Sequence, residues 1–242
     1  MVQQTAVRVR RVMTTRAGGR SSAPFDSFNL SREVGDHPDN VDANRYRLIK
    51  ELGLRGAVFL KQIHGTRVET VTTVPKRSAP DVADTDAAVT AEPGVGLVVL
   101  AADCTPVLFG DSVAGVVGAA HAGRVGAAAG VVPATVEAMV ALGSRVSDIE
   151  VLLGPAVCGL CYEVPEAMRA EVETRLPGSA ATSRRGTPSI DVRAGLYRQL
   201  RAMGVGRIGG DPRCTLEDRA LFSHRRDQRT GRHAGISWLD AG

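Results

Sequence analysis

Residues 94–126 have the sequence GVGLVVLAADCTPVLFGDSVAGVVGAAHAGRVG. This stretch is the most informative about the fold, and the other segments are described in relation to it. The apolar run 95–100 is too short for a membrane span and fits a buried β-strand. A second apolar run at 107–109 is followed by residues 110–112, whose Gly-Asp-Ser sequence predicts a tight turn. The chain then returns through a third apolar segment, residues 113–120, to His121. The stretch therefore predicts a buried hairpin that ends in a histidine.

The register of this hairpin brings two chemically active side chains together. With Asp111 and Ser112 at the tip of a two-residue turn, Cys104 lies opposite Ala119, and His121 lies two residues further along the same face. Diagonal neighbours of this kind are roughly 7–8 Å apart at Cα, so a thiolate and an imidazole can meet across the strands. Cys104 and His121 are therefore candidates either for metal ligands or for a nucleophile and its base.

Composition argues against several classes of protein. The chain has 242 residues, of which 43% are hydrophobic and 23% charged, as in an ordinary globular protein. No apolar run approaches the ~18 residues of a transmembrane helix, and the N-terminal residues lack the apolar centre of a secretory signal. Four cysteines do not make a disulfide framework in a chain of this length. We therefore expect a cytoplasmic protein with reduced thiols and no membrane partner.

The net charge of +4 raises the question of nucleic-acid binding. The basic residues are dispersed in short groups along the chain, and aromatic residues make up only 4% of it. That is too few for the stacking platforms on which nucleic-acid bases are usually held. We expect no nucleic-acid partner.

Secondary-structure signals along the chain alternate pairs of strands with single helices. Strands are predicted at 7–12, 57–63, 68–74 and 149–153. Helices are predicted to begin at Pro38, Pro165 and Asp191, with another at 132–140. This order favours an α+β fold with mixed β-sheets and flanking helices over a doubly wound parallel sheet. No linker-like segment divides residues 1–242, which we predict to form a single domain.

His64 occupies a position similar to that of His121. It follows the predicted strand 57–63 and precedes a glycine, so it joins the candidate ligands. Asp84 and Asp86 lie before the next apolar segment. These carboxylates can bind a cation, orient a ligand histidine, or serve only as loop and cap residues.

Cys158 and Cys161 form a C-x-x-C motif, which is typical of a redox site or of half a zinc site. The sequence contains no second C-x-x-C motif, and no thioredoxin-like pattern flanks this one. We therefore predict a loop with buried thiols at this point.

Arginines near both ends of the chain are candidates for anion recognition. Arg225, Arg226 and Arg232 lie among small polar residues, and guanidinium groups match phosphate and carboxylate geometry. An exposed basic tail is the competing interpretation. Arg16 lies beside the pair Gly18-Gly19, whose backbone N–H groups can face an anion or simply form a turn.

Taken in order, these motifs resemble the YfiH or laccase-domain family, historically called polyphenol oxidase or multicopper polyphenol oxidoreductase. The resemblance runs nearly from end to end and rests on TTRAGG at 14–19, FNL at 28–30, QIHG at 62–65, DTDA at 84–87, ADCTP at 102–106, HAG at 121–123, GP at 154–155, CYEV at 161–164 and SHRRD at 223–227. It implies an α+β fold and a zinc ion held by His64, Cys104 and His121. It also implies phosphorolysis of adenosine, inosine or methylthioadenosine, and deamination of adenosine.

The sequence departs from the family at one place near the predicted metal site. The family usually has His-Ala-Gly-Trp-Arg-Gly, whereas Arg124 and Val125 occupy the Trp and Arg positions here. A tryptophan or arginine that contacts the nucleoside or phosphate would be missing, which would change substrate range or rate. The three metal ligands are unaffected.

Two imidazoles and a thiolate leave a fourth tetrahedral position for water or substrate, and zinc lowers the pKa of such a water to around 7. Phosphorolysis also needs an anion site beside the ribose. Arg16 and Arg226 are our candidates for it, with Asn29 and Gln62 as neutral hydrogen-bonding partners. Asp86 or Asp103 could orient a ligand imidazole from behind.

Three other functions remain open at this point. A copper-dependent polyphenol oxidase would use the same ligands, but five histidines are too few for the multi-copper cluster of true laccases. A metal-free hydrolase would use Cys104 as nucleophile and His121 as base. A binding module with a purely structural zinc is disfavoured, because such sites are normally closed by four protein ligands.

Overall fold

The computed structural model of the protein describes residues 8–76 and 79–240. The strands are β1 (Val9–Met13), β2 (Gly56–Phe59), β3 (Val68–Val71), β4 (Ala87–Thr90), β5 (Val95–Ala101), β6 (Thr105–Asp111), β7 (Val116–Ala122), β8 (Glu150–Leu153), β9 (Ala180–Thr182), β10 (Pro188–Ile190), β11 (Arg207–Gly210) and β12 (His233–Leu239). The helices are α1 (Pro38–Glu51), α2 (Arg124–Ala129), α3 (Val131–Ala141), α4 (Glu166–Arg175), α5 (Val192–Ala202) and α6 (His224–Asp227). None of these helices has the length and apolar character needed to cross a bilayer.

Ten of the strands form two mixed sheets, and the other two form a small antiparallel ribbon. The four-stranded sheet has the order β1-β12-β5-β2, and the six-stranded sheet has the order β11-β8-β6-β7-β4-β3. Parallel pairs occur in both sheets, between β2 and β5, β3 and β4, and β8 and β11. The predicted α+β fold with mixed sheets is confirmed.

The alternation of side chains along β5 shows how the layers are stacked. Val95, Leu97 and Val99 pack in a cluster with residues of the six-stranded sheet, so this face lies between the two sheets. Val98 and Leu100 face the other way, into a cluster that includes residues of α1. On the far side of the six-stranded sheet, a larger cluster is covered by helices α3, α4 and α5. The molecule thus has four layers, helix, sheet, sheet and helices, and the central strands are buried on both faces.

The hairpin between β6 and β7 is present, but its predicted turn is wrong. Asp111 pairs with Val116, so the connection has four residues rather than two. The Asp111 carboxylate accepts hydrogen bonds from the backbone N–H groups of Val113 and Ala114 and so stabilises the longer turn. In the observed register His121 faces Pro106. The observed pairing is shifted from the predicted one by an even number of residues. Every side chain therefore keeps its predicted face, and Cys104 and His121 still share one.

Three other predicted segments differ from the structure. The strand predicted at 57–63 ends at Phe59, apart from a single bridge at Leu60, because the following backbone turns toward Asp86. The strand predicted at 68–74 ends at Val71, opposite Thr90, where its partner strand β4 also ends. The strand predicted at 7–12 spans Val9–Met13, and Val7 lies outside the described residues.

The segment after His121 contains Gly123 and Gly126 and is predicted to be a glycine-rich loop, but in the structure it is the start of a helix. Helix α2 begins directly after Gly123 and ends at Gly130, which has the left-handed backbone conformation that favours glycine. Its alanines have high helix propensity, and this outweighs the glycine in the middle of the segment.

Candidate active site

Strand ends from both sheets meet at one edge of the sandwich. The parallel strands β2 and β5 have their carboxyl ends at this edge, and the chain leaving β2 carries His64. Cys104 lies just before β6, and His121 lies near the end of β7, its antiparallel neighbour. The topology therefore brings together a histidine, a cysteine and a histidine that are distant in sequence.

The three predicted ligands form one compact group. Their ligand atoms all lie within 4.8 Å of one another. The Cys104 Sγ atom is 3.7 Å from His64 Nε2, and the rings of His64 and His121 are 4.8 Å apart between centroids at an interplanar angle of 73°. His121 is buried, Cys104 is half-buried and His64 is exposed, so the group is open to solvent on one side. Two imidazole nitrogens and one thiolate are a donor set that suits zinc.

Asp86 holds both histidines in place. Its buried carboxylate accepts backbone hydrogen bonds from Ile63, His64 and Gly65 at 2.7–3.0 Å. It also lies 2.9 Å from His121 Nδ1. A carboxylate partner fixes the proton on Nδ1, which leaves Nε2 of His121 free to bind a metal. The backbone of His64 has a positive φ of 63°, and the three N–H groups on Asp86 hold this turn.

Ionisation at the site favours a thiolate beside an imidazolium. Burial opposes ionisation of Cys104, but the charge and hydrogen bond of His121 outweigh it and lower the pKa of the thiol to about 6. Burial likewise opposes protonation of His121, whereas the Cys104 thiolate and Asp86 raise the pKa of its imidazole to about 9. Burial also opposes ionisation of Asp86, but hydrogen bonds from His121 and the backbone keep the pKa of its carboxyl below its usual value. The local field therefore prepares Cys104 as a metal ligand or nucleophile.

Two adjoining cavities open on either side of Cys104. The first, here called the tyrosine cavity, has a volume of about 490 Å³ and is lined by Cys104, Arg124, Tyr162, His224 and Arg225 among others. The second, here called the histidine cavity, has a volume of about 400 Å³ and contains His64, Cys104 and His121 together with Gln62, His224 and Arg232. Cys104 and His224 line both cavities. The volumes are of the size that small-molecule sites have in proteins.

Cationic side chains with few protein partners face these cavities. The Arg232 guanidinium donates only to the backbone carbonyls of Thr230 and Gly231, and it has no ion pair within residues 8–76 and 79–240. Burial lowers its pKa, while the charges of Cys104 and Asp103 oppose that shift. Arg124 has no ion pair in the same part of the chain. Both side chains can therefore bind an anionic ligand without breaking a salt bridge.

The structure places the four predicted substrate-binding residues differently from one another. Gln62 lines the histidine cavity, but both ends of its amide bind the backbone of Leu100. The side chain of Asn29 is buried and bonds to Asp36 and to the backbone of Ser31 and Arg232. These two amides organise the loops around the site. Their direct contact with substrate stays a prediction.

The two predicted phosphate-binding arginines have protein partners as well. The Arg16 side chain donates to the backbone and carboxylate of Asp26 and stacks over Phe222. The Arg226 side chain is only 9% exposed, because its guanidinium donates to the carbonyls of Thr215, Leu216, Asp218 and Leu221 and pairs with Asp227. Neither of them is among the residues named above that line the cavities.

Other residues at the site were not singled out from the sequence. Tyr162 is the aromatic residue of the tyrosine cavity, and the Arg225 guanidinium lies 4.7 Å from its ring centroid. His224 was part of the SHRRD segment but had no predicted role.

Of the two aspartates proposed to orient a histidine, Asp86 does so, whereas Asp103 accepts hydrogen bonds from Thr215 and the backbone of Arg225. Through these bonds Asp103, the residue before Cys104, holds the C-terminal segment next to the site.

Comparisons with known proteins show which family this chain is similar to. Residues 10–240 match the family described as multi-copper polyphenol oxidoreductase laccase. A purine nucleoside phosphorylase of Mycobacterium tuberculosis (strain ATCC 25618 / H37Rv) is 54% identical over 237 residues, which cover 97% of this chain and 94% of that protein. A purine nucleoside phosphorylase of Corynebacterium glutamicum is 50% identical over 233 residues, covering 96% and 94%. The crystal structure of the hypothetical protein YfiH of Bacillus licheniformis superposes with a TM-score of 0.89 at 32% identity, covering 96% and 93%.

Proposed function

This chain belongs to the YfiH family of multi-copper polyphenol oxidoreductase laccase domains, and from this premise we propose that it is a zinc-dependent purine nucleoside phosphorylase. The relatives that share about half of its residues over nearly its whole length are named purine nucleoside phosphorylases, which supports an enzyme of that kind. We further propose adenosine, inosine and methylthioadenosine as substrates, and deamination of adenosine as a second activity.

One observation carries the proposal. The Arg232 guanidinium, which has no carboxylate partner among the described residues, lines the same cavity as His64, Cys104 and His121. Phosphorolysis needs an anion site beside the reacting carbon, and a partly buried cation that is not neutralised by the protein supplies one. Arg124 lines the adjoining cavity and supplies a second cation where the family usually has tryptophan.

The proposed reaction uses residues from both cavities. A phosphate oxygen bonds to C1′ of the ribose while the bond from C1′ to N9 breaks, and its electron pair leaves with the purine. Arg232 and Arg124 hold the phosphate, and the ring of Tyr162 packs against the purine ring. His224 lines both cavities, so it can deliver a proton to the departing base. Deamination replaces the amino group at C6 with an oxygen from water and releases ammonia.

The donor set at the site fits a zinc ion, with His64, Cys104 and His121 as ligands and Asp86 behind His121. When bound there, zinc would act as a Lewis acid beside the substrate. Copper is the alternative metal. The other histidines of the chain are His37 at the start of α1, His224 in the cavities and His233 within β12. They do not form a second histidine cluster in the part of the chain that the structure describes, so a multi-copper oxidase is disfavoured.

A metal-free cysteine hydrolase is the second candidate, because the pKa of the Cys104 thiol is lowered to about 6 beside His121. The two functions give opposite results with a chelator. Removal of metal should abolish the phosphorylase and restoration of zinc should recover it, whereas a cysteine hydrolase would keep its activity and lose it only on alkylation of Cys104.

The central experiment follows inosine with and without phosphate. We expect hypoxanthine and ribose 1-phosphate to appear only when phosphate is present. One lost charge-assisted contact is worth about 1.5–3 kcal/mol, which corresponds to about one to two orders of magnitude in rate. Arg232→Ala should therefore weaken phosphate use by that factor and affect adenosine deamination less. Base release at an equal rate without phosphate would contradict the proposal.

The same assay tests the arginines predicted from sequence. If Arg16 and Arg226 bind phosphate, their alanine variants should also lose phosphorolysis selectively. Since both guanidinium groups have several protein partners, proportional loss of both activities together with a lower melting temperature would instead assign them to the fold of the surrounding loops.

A further inference from the structure

A second cluster of potential metal ligands lies outside the proposed active site. The ligand atoms of Cys158, Cys161, Cys214 and Glu217 all lie within 4.8 Å of one another. The three cysteines are free thiols, of which Cys214 is buried and the other two are half-buried. Glu217 is exposed, so it closes the solvent side of the cluster. The loop predicted at the C-x-x-C motif is present, but the predicted burial of its thiols is wrong, because Cys158 and Cys161 are only half-buried.

Two turns present these side chains with the same spacing. The backbone N–H of Cys161 donates to the carbonyl of Cys158 at 2.9 Å, and that of Glu217 donates to the carbonyl of Cys214 at 3.1 Å. Each turn thus offers ligands at its first and fourth residues, as Cys-x-x-Cys and Cys-x-x-Glu. A β-bridge between Ala156 and Cys214 joins the two turns. The Cys158 N–H also donates to the Cys214 Sγ atom at 3.4 Å.

We propose that Cys158, Cys161, Cys214 and Glu217 form a closed, structural zinc site that is separate from the active site. Structural zinc is held by four protein ligands in a tetrahedron, and thiolates predominate among them. A Zn–S length of about 2.3 Å places tetrahedral sulfur atoms about 3.8 Å apart, so the cluster needs to contract by only about 1 Å. A bound Zn²⁺ ion would neutralise part of the negative charge of the three thiolates and the carboxylate. Arg184, 2.6 Å from Glu217, holds that carboxylate beside the cluster.

The position of this site gives it a structural task. Tyr162 directly follows Cys161 and lines the tyrosine cavity. Thr215 directly follows Cys214 and donates its hydroxyl to Asp103, the residue before Cys104. A metal that joins the two turns would therefore fix one wall of the cavity and the support of Asp103 at the same time. This role does not depend on which reaction the active site performs.

Metal analysis of two variants tests the proposal separately from the active site. The His64→Ala variant lacks a ligand of the proposed catalytic zinc, so zinc retained by it after desalting belongs to another site. We expect about one zinc per chain in His64→Ala, and loss of that zinc in the double variant His64→Ala/Cys214→Ser. Equal zinc content in the single and double variants would overturn the proposal, whatever the metal or activity at His64.

Alkylation of the wild-type chain provides a measurement that does not require a folded variant. Native protein with zinc bound, and the same protein after treatment with a strong chelator, are reacted with N-ethylmaleimide and mapped by mass spectrometry. We expect zinc to protect Cys158, Cys161 and Cys214, and the chelator to remove this protection. Equal modification in both samples would overturn the proposal. So would a disulfide between any two of the three in freshly purified protein.

Discussion

At the scale of single residues, Asp86 connects two of the three candidate ligands, His64 and His121. It is fully buried, and one carboxylate serves the turn that carries His64 and the ring of His121. Residues that hold metal ligands in this way usually matter nearly as much as the ligands themselves. The negative charge fixes the tautomer of His121, and the three backbone bonds set the position of His64.

We therefore expect Asp86→Asn to lower zinc affinity by about 10–100-fold, because an amide has a single acceptor oxygen and no charge. Zinc affinity can be measured by competition with a chromogenic chelator. Asp84→Asn is the matched control, since Asp84 lies two residues away in the same loop and is exposed. Asparagine also tolerates the positive φ of that position. Equal affinities for the two variants would show that Asp86 does not support the metal site.

The sequence indicated the three candidate ligands because His64 follows a predicted strand and precedes a glycine, Cys104 lies in a polar break, and His121 lies at the end of the predicted hairpin. It could not show which arginine points into the cavity. Arg225 and Arg226 are adjacent, yet only Arg225 lines the tyrosine cavity. The Arg226 guanidinium instead donates to backbone carbonyls such as that of Thr215. Such contacts depend on the packing of distant loops and leave no local pattern. The contact of Arg226 with phosphate accordingly remains a prediction.

At the scale of elements, helix α2 packs against the turn that carries His64. A Cβ atom on Gly123 would lie 2.6 Å from His64 Cδ2 and 2.9 Å from Cys104 Sγ. A Cβ atom on Gly126 would lie 3.0 Å from the carbonyl oxygen of Gly65. These glycines allow the helix to approach His64 and Cys104 closely.

Gly123→Ala should therefore displace two ligands and reduce zinc affinity by more than tenfold, with about 1–3 kcal/mol of destabilisation from overpacking. Isothermal titration with zinc and thermal unfolding would measure the two effects. Gly209→Ala on β11 is the control, because the nearest atom to its added Cβ would be 3.8 Å away. Zinc binding by Gly123→Ala equal to that of the control would contradict this account of α2.

Strand positions were predictable wherever apolar runs are continuous, as in β5, β6 and β7. Loop lengths were not, because the turn after β6 is set by a side chain, Asp111, that bonds to its own loop. The error did not affect the site, since an even change of register keeps side chains on their original faces.

At the scale of the whole molecule, His233 makes stability depend on pH. Its ring is buried in β12, and among the described residues neither ring nitrogen has a hydrogen-bond partner. Burial lowers the pKa of this imidazole from 6.5 to about 4; the charge of Asp103 opposes the shift, and those of Arg213 and Arg232 add to it. The folded pKa lies below the unfolded one, so the unfolded chain binds a proton first as pH falls. Stability is therefore lost between about pH 6.5 and pH 4.

We expect this residue to account for a decrease on the order of 3 kcal/mol in the free energy of unfolding across that range. The difference between wild type and His233→Gln, measured by urea unfolding at pH 7 and pH 4.5, isolates the effect from that of the carboxylates. His37→Gln removes an exposed histidine and serves as the control. Superimposable pH profiles for wild type and His233→Gln would show that the buried ring does not titrate in this way.

The position of β12 has a consequence for how the protein is made. This strand lies between β1 and β5 in the four-stranded sheet, and Val9 pairs with Leu239. During synthesis, β1 emerges first but cannot join the sheet until nearly all of the chain has left the ribosome. Until β12 has been synthesised, the apolar surface of β5 that it covers stays exposed. Exposed apolar strand surface of this kind is prone to aggregation. A chain interrupted before residue 233 would have most of its strands and no route to this sandwich.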